Sequence, residues 1–322
     1  MKRVAITMGE PGGIGPEVIV KALFMSNIRE ICEPIVIGNV DVLKEAIRLT
    51  GLMTDVKELS SVSEYRGDRI SLINTGPTVS IRPYPSSDSG NAIVEYIKKA
   101  VEFAIRGEVD AIVTAPISKE SLHIAGYTWR GHTEMLAELT GSEDYAMMFV
   151  GESLKVILCT IHIPLRDVPN GVNESRVLET IRLARKGMEM LGIDEPKIAI
   201  SGLNPHAGEG GLLGREEMDI IIPAIRHAQR EDMNVSGPYP PDVVFYKAYR
   251  GDFDIVVAMY HDQGLIPFKM LEFEKGVNVT VGLPIIRTSP DHGTGFDIAW
   301  QNKADPSSMI EAIKLAVRLK RV

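Results

Sequence analysis

The segment Ile255-Val256-Val257-Ala258-Met259-Tyr260-His261 carries a short apolar run that ends at a histidine. Similar runs recur along the chain, and most lack the alternation of apolar and polar residues that marks a half-exposed sheet. We therefore predict strands that are covered on both faces. The predicted strands are residues 4–6, 35–37, 70–73, 111–113, 156–158, 198–200, 255–258 and 277–281.

Helical patterns lie between these runs. Apolar residues recur at helical spacing in segments 92–104 and 177–191, and Ser308 followed by Glu311 predicts a capping box at the start of the last helix. Alternating strands and helices predict an α/β fold with a largely parallel sheet. A chain of 322 residues suits two domains or one large α/β body.

The composition limits the possible partners and locations. A net charge of -8 argues against nucleic acid as a partner, because binding to phosphate backbones requires accumulated Lys and Arg. Two cysteines, Cys32 and Cys159, suit a reducing cytoplasm. The first apolar run is too short for a signal peptide, and no segment reaches the roughly 20 apolar residues of a membrane helix. We expect a cytoplasmic protein with neither a nucleic-acid nor a membrane partner.

Three histidines each follow a predicted strand: His162, His206 and His261. Ligands of open α/β sheets bind at the carboxyl ends of the strands, so these imidazoles are expected to converge there. Three neutral imidazoles are a plausible set of ligands for a divalent metal, with Glu209 and Asp262 orienting the rings. The alternative is that each histidine closes its own loop through a hydrogen bond.

A glycine-rich turn, Gly9-Glu10-Pro11-Gly12-Gly13-Ile14-Gly15-Pro16-Glu17, joins the first strand to a helix. Backbone N–H groups in such a turn can approach an anion closely. The spacing matches neither the dinucleotide fingerprint nor a P-loop. A ligand site and a plain tight turn are both consistent with the pattern.

Polar residues are dense between Tyr260 and Trp300, and we interpret this segment as the floor of an active site. Lys269 and Arg287 within it could hold phosphate and carboxylate, although single basic residues are more often surface charges. His132 and Thr133 at a predicted helix start could bind an anion, or Thr133 could simply cap the helix.

Six blocks in chain order resemble the 4-hydroxythreonine-4-phosphate dehydrogenase family of pyridoxal phosphate synthesis. They are residues 8–17, 131–134, 162–168, 202–209, 259–264 and 288–294. Two further segments resemble motifs of the related isocitrate and isopropylmalate dehydrogenases: Gly12-Gly13-Ile14-Gly15-Pro16-Glu17 and His292-Gly293-Thr294-Gly295-Phe296-Asp297-Ile298-Ala299. The resemblance implies their two-domain α/β/α fold, with the active site in the cleft between the domains. The expected domains are 1–130 plus 281–322, carrying the cofactor loops, and 131–280, carrying the metal, substrate and dimerisation elements.

The resemblance also assigns roles to individual positions. One divalent metal (Zn, Mg or Co) is implied at His162, His206 and His261, with ligands from both subunits of a homodimer. NAD or NADP is implied at Gly12, Gly13, Gly15, His292, Gly293, Thr294 and Asp297. A phosphorylated C4 hydroxy acid is implied at His132, Thr133, Lys269, Asn278 and Arg287. The related isocitrate and isopropylmalate dehydrogenases usually carry Gly-Lys-Gly where this chain has Trp300-Gln301-Asn302, and Asn where it has Asp305, which leaves the choice between NAD and NADP open.

The implied reaction is metal-assisted oxidation and β-decarboxylation of 4-hydroxy-L-threonine 4-phosphate to 3-amino-2-oxopropyl phosphate. Asp242 and Lys269 are the candidate catalytic bases. One alternative substrate is D-threonate or D-erythronate 4-phosphate, which the sequence does not distinguish. Another alternative is a metal-dependent phosphohydrolase, in which the glycine-rich turns bind only phosphate.

Overall fold

The structure is a computed structural model that describes residues 1–25 and 27–322. Its strands are β1 (Lys2–Thr7), β2 (Cys32–Gly38), β3 (Val56–Glu58), β4 (Ile70–Asn74), β5 (Ala111–Thr114), β6 (Ala146–Val150), β7 (Lys155–Leu158), β8 (Ile198–Ser201), β9 (Val235–Tyr239), β10 (Ile255–Ala258), β11 (Val277–Val281) and β12 (Ile286–Pro290). Each predicted strand is present, with ends shifted by two or three residues at most.

The helices lie between these strands. They are α1 (Gly15–Met25), α2 (Ile28–Ile31), α3 (Val40–Thr50), α4 (Ser87–Ile105), α5 (Lys119–Ile124), α6 (His132–Thr140), α7 (Val168–Gly171), α8 (Glu174–Met190), α9 (Ile222–Arg230), α10 (Pro241–Tyr249), α11 (His261–Glu272) and α12 (Ser307–Arg318). Short 3₁₀ turns cover Val62–Glu64 and Leu165–Asp167, a left-handed turn lies within Pro205–Gly211, and a π-helical turn covers Glu217–Ile221.

The chain folds as two compact units. The first unit contains Met1–Glu143 and Leu283–Arg318, and the second contains Asp144–Gly282 and Leu319–Val322. The first domain was expected to end at residue 130, whereas the first unit extends to Glu143 because α6 packs on α4.

In the first unit, the strands run β3-β4-β2-β1-β5-β12 and all pairs are parallel. Residues of both strand faces are buried, as at Val4, Ala5 and Ile6, where none of the side-chain surface is exposed. This arrangement confirms the prediction of parallel strands covered on both sides.

In the second unit, the strands run β11-β6-β7-β10-β8-β9. Strands β7, β10, β8 and β9 are parallel, whereas β6 is antiparallel to both of its neighbours. Only residues 151–154 connect β6 to β7, and a connection this short permits only antiparallel pairing. The sheet is therefore largely parallel, as predicted, with one reversed strand.

The start of α12 differs from the prediction. The helix begins at Ser307, so Ser308 lies inside it and is not the N-cap of a capping box. The Ser308 hydroxyl instead accepts a hydrogen bond from the Asp291 N–H (3.4 Å), and Asp305 Oδ1 accepts one from the Ser307 N–H (2.7 Å). Asp305 thus supplies the side-chain oxygen that the sequence pattern assigned to Ser308.

Both cysteines are buried free thiols. Burial raises the pKa of Cys32 to about 12 and that of Cys159 to about 11. Each is a protonated, unreactive part of the core at neutral pH. Within residues 1–25 and 27–322, none of the helices combines the length and apolar character of a membrane span.

Candidate active site

The strand order of the second unit gathers the three histidine-bearing loops at one edge. Strand β10 lies between β7 and β8, with Ala258 beside Leu158 and Val257 beside Ile200. Since the three strands are parallel, their carboxyl ends meet at one edge of the sheet. His162, His206 and His261 follow these three ends, as the sequence analysis predicted.

His162 and His261 lie close to each other. Their ring centroids are 5.9 Å apart, and both rings line an open cavity of about 460 Å³. Thr160 fixes the spacing of the two loops, because its N–H and its hydroxyl both donate to the Met259 carbonyl (3.2 and 2.8 Å). The ends of β7 and β10 are thus held in register up to the histidines.

His206 and His261 each have a carboxylate on Nδ1. His206 Nδ1 is 2.9 Å from Glu209 Oε2, and His261 Nδ1 is 2.6 Å from Asp262 Oδ1. These are the orienting contacts that the sequence analysis assigned to Glu209 and Asp262. A carboxylate on Nδ1 leaves Nε2 available as a ligand and is the arrangement found around metal-binding histidines.

The three histidines do not form a complete metal site within one chain. Among the residues that the structure describes, no group of three or more His, Cys, Asp or Glu side chains is arranged to hold a metal ion. The donor chemistry nevertheless suits Zn²⁺ or Co²⁺, because neutral imidazoles with oriented rings are good ligands for both. The assignment of all three histidines to one metal stays a prediction.

His206 lies in an unusual backbone segment. Residues 206–210 have φ values of 52, 54, 79, 45 and 65°, so the chain turns left-handed for five residues. Three of these are His206, Ala207 and Glu209, and a left-handed residue other than glycine costs about 1–2 kcal/mol. The surrounding structure must therefore hold this turn in place.

The candidate bases of the second unit lie apart along their helices. Asp242 is exposed in the first turn of α10 and lines a cavity with Tyr260, Asp262 and Gln263. Lys269 lies in the last turn of α11, about 12 Å along the helix axis from His261 at a rise of 1.5 Å per residue. Asp242 is the candidate base that shares a cavity with residues next to the histidines.

Asn278, predicted to bind substrate, is a buried residue of β11. Its Oδ1 is buried and has no hydrogen-bond partner among the described residues. A buried polar atom without a partner costs free energy, so a ligand hydrogen bond would stabilise this position.

In the first unit, His132 lies at the start of α6. Gly131 is the N-cap, so the alternative in which Thr133 caps this helix is wrong, and Thr133 is buried in the first turn. Burial, with the charge of Arg287 as a second cause, holds the pKa of His132 well below its usual value. Its Nε2 is shielded from solvent and has no hydrogen-bond partner among the described residues.

Arg287 on β12 is only 2% exposed. Its Nη2 and Nε donate to Thr114 Oγ1 at 2.7 and 3.1 Å, at the carboxyl end of the neighbouring strand β5. Burial lowers the pKa of its guanidinium to about 9, which still leaves it charged at neutral pH. A buried cation and the N–H groups of a helix start are together suited to an anionic ligand group.

The glycine-rich turn packs against the loop that begins at His292. Ile14 N–H donates to the Thr294 carbonyl (2.9 Å), so the two segments predicted to bind the cofactor lie together in the first unit. A Cβ at Gly12 would lie 1.8 Å from the Arg82 carbonyl oxygen, and one at Gly13 would lie 2.8 Å from that of Thr294. Close backbone packing already explains these two glycines, and their cofactor role stays a prediction.

Comparison with known proteins identifies the family. A family profile described as "Pyridoxal phosphate biosynthetic protein PdxA" matches residues 30–316. The 4-hydroxythreonine-4-phosphate dehydrogenase of Desulfosudis oleivorans is 48% identical over 323 residues, which cover 98% of this chain and 95% of that protein. The chain belongs to the PdxA family.

Two further PdxA-family relatives match along almost their whole length. The D-threonate 4-phosphate dehydrogenase of Salmonella typhimurium is 46% identical over 326 residues, covering 99% of each chain. The crystal structure of 4-hydroxythreonine-4-phosphate dehydrogenase from Klebsiella pneumoniae has a TM-score of 0.89 at 41% identity, covering 99% of this chain and 100% of that one. The predicted family and α/β fold class are confirmed, and the chain is a dehydrogenase rather than a phosphohydrolase.

Gln263 is a further residue of this PdxA-family chain that was not predicted to belong to the site. This side chain is 8% exposed, accepts from the Met259 N–H (2.7 Å) and donates to the Gly202 carbonyl (2.8 Å). It thereby joins the end of β10 to the end of β8. No sequence pattern marks this residue, apart from its position two residues after His261.

Glu10 lies in the glycine-rich turn and is fully buried. Its carboxylate accepts from the Ser121 hydroxyl (2.7 Å) and from the Gly12 N–H (3.2 Å). Burial raises its pKa above the usual value, with hydrogen bonds from Ser89, Ser121 and Gly12 opposing that shift. Glu10 therefore ties the glycine-rich turn to α5.

Trp300 lies where this chain departs from the related dehydrogenases. Its backbone is left-handed (φ 60°), and its buried Nε1 has no hydrogen-bond partner among the described residues. His292 Nε2 is likewise buried without a partner in the described part of the chain, while Asp297 and Gly293 are exposed. These groups could hold a nucleotide, because they combine unsatisfied buried ring nitrogens with an accessible carboxylate.

Proposed function

We propose that this PdxA-family dehydrogenase oxidises 4-hydroxy-L-threonine 4-phosphate with NAD or NADP and a divalent metal, and that the oxidised product loses carbon dioxide to give 3-amino-2-oxopropyl phosphate. The relatives named 4-hydroxythreonine-4-phosphate dehydrogenase support the substrate. The observation that carries the metal-assisted chemistry is the set of three histidines after three adjacent parallel strands, with a carboxylate on Nδ1 of His206 and of His261.

The substrate's phosphate would bind in the first unit. Arg287 supplies a buried positive charge there, and the start of α6 supplies backbone N–H groups. His132 is neutral at pH 7, so its Nε2 can donate to or accept from a ligand without adding charge. An anion bound beside Arg287 would offset the cost of keeping the guanidinium out of water.

The metal site would be completed by a second copy of the chain. A single chain does not gather three ligands among its described residues, and exposed apolar side chains crowd the surface of α10 and α11. Tyr246 is 64% exposed, Ile266 61%, Met270 82% and Phe273, which follows α11, 76%. A contiguous apolar surface of this kind is typical of an interface between subunits.

Different residues of this chain would have different roles in the reaction. A metal held by the histidines would lower the pKa of the substrate hydroxyl, and a bound nicotinamide would accept the hydride from the carbon that carries that hydroxyl. Glu209 and Asp262 keep the Nδ1 proton on His206 and His261, so that Nε2 stays available for coordination. Asp242 would take the hydroxyl proton, and its position on the cavity beside Asp262 and Tyr260 supports this role. Lys269 is the second candidate.

NAD or NADP would bind along the loop His292 to Asp297, beside the glycine-rich turn. The buried Nε2 of His292 and the exposed carboxylate of Asp297 support this placement. We also propose that the protein works in the cytoplasm, which its two buried free thiols support.

The proposed reaction is tested with a panel of 4-phosphorylated C4 acids, scored for NAD or NADP reduction and for carbon dioxide release. The full-length protein should reduce the nucleotide with 4-hydroxy-L-threonine 4-phosphate only when Zn²⁺, Co²⁺ or Mg²⁺ is present. His206→Ala should remove metal-dependent turnover, whereas His227→Ala, at an exposed histidine of α9, should leave it unchanged. Full activity of the His206→Ala protein would refute the ligand role.

A second candidate substrate is D-threonate 4-phosphate. The Salmonella typhimurium enzyme named for it matches this chain about as well as the 4-hydroxythreonine-4-phosphate dehydrogenases do, at 46% identity over 99% of each chain. The two substrates share the phosphate, a hydroxyl and the carboxylate, and differ in an amine. The ratio of kcat/KM for the two acids decides between them.

The proposed dimer has its own test. Met270→Glu places a charge on the exposed apolar surface of α11 and should yield a monomer in analytical ultracentrifugation. Glu274→Gln, beyond the end of the same helix, is the control. A Met270→Glu protein that sediments like the wild type would exclude this surface as the interface.

A further inference from the structure

Residues 206–210 form a left-handed turn, although three of these five residues are not glycine. His206, Ala207 and Glu209 have φ values of 52, 54 and 45°, and only Gly208 and Gly210 adopt such values at little cost. A side chain with a Cβ is crowded by its own carbonyl in this conformation. A turn that persists under these conditions must be fixed by contacts from outside it.

The buried carboxylate of Glu217 supplies such contacts. Glu217 is 1% exposed and begins the π-helical turn Glu217–Ile221. Its Oε1 accepts from the backbone N–H groups of Leu203 (2.8 Å) and Asn204 (2.7 Å), and its Oε2 accepts from Asn204 Nδ2 (2.9 Å). The carboxylate thus holds the two residues that lead into Pro205 and the left-handed turn.

The packing of two glycines shows that the carboxylate lies directly against the turn. A Cβ at Gly208 would lie 2.6 Å from Glu217 Oε2. A Cβ at Gly202 would lie 2.8 Å from Ala207 Cα and 3.2 Å from Glu217 Oε1. The backbone of the loop is therefore closed around this carboxylate, with no room for a larger group.

The turn determines where His206 stands. Its Nδ1 contacts Glu209, three residues later in the same turn, and its ring is 66% exposed. An extended segment would separate the two side chains, because successive residues of an extended chain point to opposite sides. The His206–Glu209 contact therefore depends on the left-handed conformation that Glu217 holds.

We propose that Glu217 is a positioning residue for His206. It fixes the left-handed turn and thereby holds the imidazole in its metal-binding position even in the metal-free protein. This inference rests on the proposed metal role of His206. Removing a residue that orients a metal ligand typically costs about 10- to 100-fold in metal affinity.

The test compares Glu217→Gln with Asp219→Asn in the full-length protein freed of metal. Both variants remove one carboxylate charge from the same π-helical turn, but Asp219 is exposed and pairs with Arg215 (2.8 Å). Titration with Co²⁺ should show a loss of about 10- to 100-fold in affinity for Glu217→Gln and less than about twofold for Asp219→Asn. Hydrogen exchange of the metal-free protein should show loss of protection at the Leu203 and Asn204 amides in Glu217→Gln alone.

The visible absorption of bound Co²⁺ separates positioning from stability. At saturating Co²⁺, Glu217→Gln should have an altered spectrum, because a displaced His206 changes the ligand geometry; a residue that only stabilises the fold would leave the spectrum as in the wild type. If Glu217→Gln does not fold, Ala207→Val takes its place. A β-branched residue resists a φ of 54°, so it should cause the same loss of Co²⁺ affinity with the carboxylate intact.

The outcomes distinguish this inference from the proposed function. Wild-type protein that binds no Co²⁺, or binds it as tightly after His206→Ala, overturns the metal assignment and this inference with it. Wild-type protein that binds Co²⁺ through His206, together with Glu217→Gln protein of unchanged affinity and spectrum, overturns the positioning role alone.

Discussion

The two groups of candidate site residues differ in how far the chain itself completes them. In the first unit, Arg287 is 2% exposed and hydrogen-bonded to Thr114, which is fully buried. In the second unit, His206 is 66% exposed and His261 37%. Arg287, the candidate anion-binding residue, lies in the core of one chain. The candidate metal-binding histidines His206 and His261 are instead exposed, at the ends of buried strands. Substitutions should therefore act differently in the two places, and the predictions below test that difference.

The largest effect is expected at Arg287. Arg287→Met should lower kcat/KM for the phosphorylated substrate about 100- to 1,000-fold, because a buried charge pair with the phosphate is worth about 3 to 4 kcal/mol. The free energy of unfolding should also fall, by about 1 to 3 kcal/mol, because the buried Thr114 hydroxyl loses its two guanidinium donors. Steady-state kinetics and urea denaturation measure the two quantities.

Two further variants serve as comparisons for Arg287→Met. Arg287→Lys keeps the charge but loses the planar fork, and should lie between the wild type and Arg287→Met. Arg318→Met removes an exposed arginine of the same unit and should change neither quantity. A kcat/KM within threefold of the wild type for Arg287→Met would remove this residue from the site.

Gln263, which joins the strand ends that precede His206 and His261, is expected to contribute to the stability of the protein. Gln263→Leu leaves the Met259 N–H and the Gly202 carbonyl without their partner, which should lower the free energy of unfolding by about 2 to 4 kcal/mol. Gln301→Leu, at an exposed glutamine, should lower it by less than about 0.5 kcal/mol. Urea denaturation followed by circular dichroism compares them, and equal midpoints would show that Gln263 does not join the two strand ends.

A substitution beside the exposed His261 is expected to change the affinity for the metal. Asp262→Asn weakens the hold on the Nδ1 proton of His261 and should reduce Co²⁺ affinity about tenfold. The fold should be unaffected, because Asp262 is 72% exposed. Isothermal titration calorimetry with Co²⁺ measures this affinity. Asp252→Asn, at an exposed aspartate before β10, is the control. Unchanged affinity in Asp262→Asn would mean that this carboxylate does not orient the ring.

The smallest effect is a pH dependence of stability that belongs to His132. Its pKa in the folded protein lies well below that of the unfolded chain, about 6.5, so the unfolded state binds more protons as the pH falls. The protein should lose up to about 1.4 kcal/mol of stability between pH 7.5 and 5.5 through this group. His132→Gln should lack that loss, whereas His206→Gln, at an exposed ring, should retain it. Parallel curves for the wild type and His132→Gln would contradict the assignment.

The parts of the fold that were predicted follow from local residue patterns. Runs such as Ile255–Ala258 are β-branched and apolar, and parallel strands buried on both faces require that composition. The convergence of His162, His206 and His261 at one sheet edge was predictable for the same reason, because it depends only on where strands end and on their being parallel.

The parts that were missed depend on contacts between distant backbone groups. Gln263 and Glu217 bind main-chain N–H and carbonyl groups of other loops, and no side-chain pattern records that. Strands β3, β6, β9 and β12 were not predicted. In β6, for example, Met147, Met148 and Phe149 lack the β-branched composition of the predicted strands. Ser308 was misassigned because Asp305, two residues before the helix, already serves its first N–H.

The order of the units along the chain bears on how the protein is made. Residues 144–282 are contiguous, so the second unit can fold almost completely as soon as the ribosome has delivered them. The first unit must wait, because its strand β12 pairs with β5 across more than half of the chain. Arg287 lies on that late strand, so a polypeptide that stops short of it lacks this buried cation.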